Sequence, residues 1–176
     1  MIRKILKVTD SRLRQKSHTV KKIDKKTRVL ISDLKKTLDA QKDPEGVGLA
    51  APQIGKNLRV FIMKFKGEIQ VIVNPEIVSI VKVKKKKENT KDEKIMEGCL
   101  SLPNYYGPLT RPQKIKIKYT SEDGKQIVEV FEGFKAQIIQ HEIDHLNGML
   151  FVNRLLEQKK PLYELAGGEW EEVELT

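Results

Sequence analysis

The chain of 176 residues holds one cysteine, three histidines and one tryptophan, and aromatic residues make up only 6% of it. With Cys99 alone there is no partner for an internal disulfide, which fits a reducing compartment and places the protein in the cytoplasm. No apolar run approaches the roughly twenty residues that a membrane helix needs. The opening "MIRKILKV" is too short and too often interrupted by charge to read as a secretory signal. What remains, 39% hydrophobic and 33% charged, is the composition of a soluble globular protein. The length suits a single domain over 1–176 with a core of its own.

Positive charge is abundant. The formal net charge is +10, which points to an anionic neighbour such as RNA or a membrane surface and says nothing about fold. Residues 1–42 carry 14 Lys or Arg against 4 Asp, and "KVKKKKENTKDEK" at 82–94 carries 7 Lys against 3 acids. The second cluster reads as an exposed Lys-rich excursion between strands, a solvated tip in preference to a specific binding patch. The end of the chain is opposite in sign: "GGEWEEVELT" has 4 Glu and no base. A variable acidic tail is expected after about residue 157.

Periodicity gives the elements. Asp24 can cap a helix running to about Gln41, with Ile23, Leu30, Leu34 and Leu38 on one face and Pro44 beyond its end. "GVGLAAPQIG" has the glycines and proline of a loop. "LRVFIMKF", "EIQVIVNPEIV" and "SIVKVK" are rich in β-branched residues and read as strands. "KIKIKYT" and "KQIVEVFEG" alternate around Asp123-Gly124, a hairpin signal. A second helix fits Phe134 to Asn147, between Gly133 and Gly148. Strands that do not alternate with crossover helices give an α+β fold. The expectation is antiparallel β-sheets packed around a central helix, with an N-terminal helix besides.

That central helix contains "QHEIDHLNG", residues 140–148. Residues four apart share a helix face with β-carbons about 5–6 Å apart, so His141 and His145 can converge on one ion. Glu142 sits one step round the helix, where it can reach metal-bound water rather than the metal; this is the mechanical content of HExxH. Phe134 and Ile138 fall on the side of His141 and offer an apolar wall. The plain alternative is a surface helix with two incidental histidines. A catalytic site wants three protein ligands and an open position. No histidine follows His145, which leaves Glu164, 19 residues on, and Cys99 in "MEGCLSLP". A thiolate suits a borderline divalent ion, though a lone cysteine is often just a small buried hydrophobe.

"GVGLAAPQIG" (46–55), "EGCLSLP" (97–103) and "QHEIDHLNG" (140–148) resemble the three signature motifs of the peptide deformylases, in order and in approximate spacing. The similarity extends to "ILKVTDSRLRQKSHTV", "VIVNPEI" and "GMLFVNRL", and covers roughly residues 2–156. It implies that Cys99, His141 and His145 bind the metal and that Glu142 is the catalytic carboxylate. The Gln53 side-chain amide and the Leu100 backbone N–H would stabilise the oxyanion. Gly46, Val47 and Gly48 would lie beside the substrate, with Gly48 bare so that the substrate backbone can approach. Val47, Phe134 and Ile138 would wall a slot for methionine. Glu97 would orient a ligand or water, unless it is only a surface charge at a strand end.

The implied activity is removal of the N-formyl group from newly made proteins that begin with formylmethionine. The family prefers one Fe(II) ion and tolerates others, such as Zn(II) or Ni(II). One departure stands out: many members carry arginines seven and twelve positions after the cysteine, and here those positions hold Tyr106 and Arg111. Two other readings stay open. One is an HExxH metallopeptidase with Glu164 as third ligand. The other is a basic ribosome- or RNA-binding module with structural histidines.

Overall fold

In the computed structural model, residues 1–81 and 96–175 are described; the Lys-rich segment expected at 82–94 lies outside them. The first helix, α1, spans Lys25–Asp39. The Asp24 carboxylate accepts the Thr27 N–H at 2.9 Å, satisfying one of the donors that every helix start leaves open. Leu30, Leu34 and Leu38 are buried as their spacing requires. The helix ends at Asp39 with Ala40 as its cap, slightly short of the expected Gln41.

Strand β1 is Gly48–Ala50, followed by a 3-10 turn at Ala51–Ile54, so the expected loop is partly ordered into a sheet. Strands β2 (Val60–Phe65) and β3 (Glu68–Ile80) follow. Two strands were expected where β3 runs unbroken. Its ladder shifts register between Val73 and Glu76, and that irregularity accommodates Pro75. Asn74 there has φ +51°. Its side chain both accepts from Val20 N–H and donates to Val20 C=O, at 2.9 and 2.8 Å.

After β4 (Glu97–Cys99) and β5 (Leu102–Gly107) comes the expected hairpin of β6 (Lys114–Thr120) and β7 (Gln126–Glu132). The central helix α2 is Phe134–Leu146. The chain then departs from expectation. A third helix, α3, spans Phe151–Gln158, and the acidic end forms a hairpin of β8 (Leu162–Ala166) and β9 (Glu169–Val173).

Among the described residues all the strand pairs are antiparallel, in two sheets ordered β1-β2-β3-β6-β7 and β4-β5-β8-β9. This is the α+β architecture expected from the order of elements. The larger sheet is covered on both faces at β2, while β6 and β7 leave one face to solvent. Phe61 and Met63 of β2 pack with Ile139 and Ile143 of α2. Val60 and Ile62 pack with Leu30 and Leu34 of α1. That is why "VFIM" is apolar at every position rather than alternating. The smaller sheet rests on α3 through Leu102, Tyr105, Phe151, Leu155 and Leu162. Each sheet has two end strands paired on a single side, β1 and β7 in the larger and β4 and β9 in the smaller.

Gly148 closes α2 with φ +73°, and a Cβ there would lie 2.5 Å from the Arg14 carbonyl oxygen. We expect Gly148→Ala to lose at least about 1–2 kcal/mol from the left-handed backbone alone. Urea unfolding checks this; an unchanged midpoint would show that the turn relaxes freely.

Candidate metal centre

Helix α2 lies between the sheets, and His141, Glu142, Asp144 and His145 are all buried. Strand β4 brings Cys99 against it. One donor atom each from Cys99, His141 and His145 lie within 4.8 Å of one another. Cys99 Sγ is 3.2 Å from His145 Nε2. The two imidazole rings stand 4.9 Å apart, nearly perpendicular. Glu164 is not in this group. It pairs with Tyr105 across β5 and β8, and the structure gives no support to it as the third ligand.

The orientation of His141 is imposed from behind. Its Nδ1 lies 2.7 Å from Glu97 Oε1. An ionised carboxylate can only accept, so Nδ1 carries the proton and Nε2 keeps its lone pair for the centre. Glu97 is itself gripped by Arg111, whose Nη2 and Nε each donate to it at 2.6 Å. Arg111 Nη1 donates to Asp144 at 2.9 Å, and Arg154 of α3 donates to Asp144 Oδ1 at 2.6 Å. Glu97 is therefore no surface charge: it is buried. Burial alone would raise its carboxyl, but the Arg111 and His141 hydrogen bonds hold it at about 2. Arg111 was noted only as matching a family arginine and given no role, and Asp144 and Arg154 were not singled out. An aspartate in the buried stretch "HEIDH" was the available signal, since a buried charge needs a partner.

Burial would likewise raise the Cys99 thiol, yet His145 and His141 beside it hold it well below its ordinary value. A thiolate and two imidazoles fit a borderline divalent ion such as Fe(II) or Zn(II).

Glu142 follows the centre into the cavity. Burial pushes its carboxyl up to about 7 against the pull of His141 and His145, and its Oε2 is buried without a protein partner. Gly48 has a sharper role than leaving room for substrate. A Cβ there would stand 2.9 Å from Glu142 Cδ and 3.1 Å from Ile138 Cγ2, so the glycine makes space for the carboxylate itself.

The Gln53 amide is aimed by its neighbours. Its Oε1 accepts Ala50 N–H at 2.8 Å. Its Nε2 then faces Ser101 Oγ at 3.2 Å and Cys99 Sγ at 3.7 Å. These groups open on a cavity of about 230 Å³ that Gly46, Val47, Leu100, Phe134 and Ile138 also line. Ile138 is buried in its wall, while Val47 and Phe134 are each 38% exposed, which places them towards its mouth.

Three protein donors leave an open position on a tetrahedral ion, the mark of a catalytic rather than a structural site. With the buried Glu142 carboxylate beside it, the fold and site define a metal-dependent hydrolase. Residues 2–161 match the profile of the polypeptide deformylase family, and the chain belongs to that family. A peptide deformylase of Pseudothermotoga lettingae is 39% identical over 87% of this chain and 82% of its own. One from Dictyoglomus thermophilum is 39% identical over 90% and 95%. The crystal structure of a Legionella pneumophila peptide deformylase superposes with a TM-score of 0.76 at 42% identity, covering 88% of this chain and 86% of that one. A Synechococcus elongatus peptide deformylase, solved in complex with actinonin, gives 0.75 at 34% identity over 85% and 76%.

Glu97→Gln keeps the shape but removes the charge that holds His141. We expect divalent-ion affinity to fall about 10–100-fold, read by competition with a chromogenic chelator. Unchanged affinity would mean that His141 needs no support from behind.

Proposed function

We propose that this chain, as a single catalytic domain, hydrolyses the N-formyl group of N-formylmethionyl nascent peptides in the cytoplasm. The observation that carries the reading is the meeting of four groups in one cavity: the Cys99-His141-His145 donors, the buried Glu142, the aimed Gln53 amide and an apolar wall.

A divalent ion held by Cys99, His141 and His145 supplies Lewis acidity when bound, polarising a carbonyl and acidifying water. Fe(II) is the ion proposed, with Zn(II) or Ni(II) as alternatives. Val47, Phe134 and Ile138 receive the methionine side chain, whose burial contributes about 1.5–3 kcal/mol to binding. Gly46, Val47 and Gly48 border the substrate backbone. Glu142 takes a proton from the attacking water and delivers it to the departing amine nitrogen, and a carboxylate poised near neutrality suits both transfers. Gln53 Nε2 and Leu100 N–H donate to the oxygen on which negative charge grows. Formate and a free N-terminal amine leave. The excess of positive charge favours transient contact with ribosomal RNA, consistent with a nascent substrate.

A formate-release assay on formyl-Met-Ala, performed anaerobically on Fe(II)-loaded protein, tests the reading directly. Glu142→Ala should retain the ion and lose turnover by at least about 10²–10⁴-fold. Near-normal turnover in metal-replete Glu142→Ala would remove this carboxylate from the mechanism.

A second pair of substitutions separates this reading from that of a peptidase. Cys99→Ala should abolish activity and severely weaken ion binding, while Glu164→Ala changes neither. Metal analysis and formate release on both proteins provide the check, and the reverse pattern would place the third ligand in the C-terminal segment.

A further inference from the structure

The C-terminal hairpin carries chemistry that the proposed reaction leaves unused. On a chain of formal charge +10, residues 161–175 contain Glu164, Glu169, Glu171, Glu172 and Glu174 with no lysine or arginine. Strand register decides which way these residues point. Directly paired residues of antiparallel strands share a face, as do residues two apart along one strand. Tyr106 pairs with Tyr163, and Tyr163 with Glu172. Trp170 is two residues from Glu172, so all four share one face. The opposite face holds Tyr105 and Leu162, which pack on α3.

The outward face continues the active-site wall. Tyr106 lines the cavity that contains Cys99 and Glu142. Its ring lies so close over β4 that a Cβ at Gly98 would come within 2.6 Å of it. Trp170 meets Tyr106 edge-on, with ring centroids 5.3 Å apart and planes at 76°. The indole is nevertheless 50% exposed. Beyond the cavity there is thus a ledge of tyrosine, exposed indole and glutamate.

We propose that Tyr106, Trp170 and Glu172 form a subsite for a basic side chain, lysine or arginine, at the third or fourth residue of the formylated peptide. The inference rests on the deformylase reading and adds a preference to it. Neighbouring strands lie about 4.8 Å apart and an extended chain advances about 3.3 Å per residue. A peptide leaving the methionine slot therefore reaches the Tyr106 ledge within a few residues. The aliphatic stem of lysine or arginine covers the indole, its cation lies over an aromatic face, and Glu172 supplies the opposite charge. Neither attraction is deeply buried, so the preference is modest, about 3–10-fold in kcat/KM. It weakens as salt screens the charges.

The test uses formyl-Met-Ala-Arg-Ala and formyl-Met-Ala-Ala-Arg beside their glutamate counterparts, with the metal-loaded protein, its Trp170→Ala form and its Glu172→Gln form. Within each protein the Arg-to-Glu ratio of kcat/KM is the readout, so partial loss of active protein cancels. The parent protein should favour arginine at one of the two positions, mainly through KM, and the ratio should shrink in both variants and at high salt. A ratio near one in a parent protein that cleaves formyl-Met-Ala overturns the subsite and leaves the deformylase reading standing. A ratio that survives both substitutions also overturns it, because the preference then arises elsewhere. If the parent protein fails to cleave formyl-Met-Ala, the deformylase reading itself fails and the subsite falls with it.

Discussion

The buried ion pairing of Glu97 with Arg111 is the interaction on which the rest of the site depends. Cys99 comes from β4 and both histidines from α2, and nothing in the backbone ladders joins β4 to α2. Glu97 and Arg111 do so through charge: Glu97 receives two 2.6 Å hydrogen bonds from Arg111 and one contact from His141, while Arg111 also reaches Asp144. Removing one member of such a buried group typically costs about 3–5 kcal/mol, because the others are left charged and unpaired. A hydrophobic replacement of the whole group could pack as well, but it would not fix which nitrogen of His141 faces the centre. The network is therefore better understood as an aiming device than as a source of stability.

The scaffold explains how so polar a helix comes to be buried. Residues Ala136, Ile139, Ile143 and Leu146 of α2 dock on the larger sheet, and that contact supplies the hydrophobic drive. The opposite side of the same helix is then free to carry His141, Asp144 and His145 into a space closed by β4 and α3. Gly48 completes this economy of space, since its missing side chain is occupied by the Glu142 carboxylate.

Much of this was legible from local pattern. Asp24 as a cap, the Asp123-Gly124 hairpin, the α2 helix and the convergence of His141 with His145 all follow from residues within a turn or two of each other. The third donor was not decided by spacing: the resemblance favoured Cys99 over Glu164, and it is Cys99 that lies with His141 and His145, donor atoms within 4.8 Å of one another. Long-range pairing was the hidden part. Arg111 matched a family arginine by position, but nothing local gave it a role, because its partners Glu97 and Asp144 are 14 and 33 residues away. The hairpin at the acidic end was obscured because its alternation is carried by aromatic and charged residues rather than by aliphatic ones. Strand β3 was divided between Val78 and Ser79, where its ladder shifts register a second time between Ile77 and Ser79, a shift that depends on pairing with β6 and is invisible in local pattern.

Strands β1 and β4, each one of the two end strands of its sheet, both border the cavity. Unpaired strand edges are usually a danger, since they invite another chain to add itself. Here each edge is three residues long and lies within a cleft. Another folded protein cannot bring a strand of its own that deep, whereas a loose chain end can thread in. Under the proposed reading, admission therefore depends on the folding state of the visitor as well as on its sequence. A newly made N-terminus is acceptable while it is still extended, and ceases to be so once it packs into its own domain. The reaction thus runs against a clock set by the folding of the substrate, and a chain that folds early at its N-terminus escapes processing however well its first residues fit the slot.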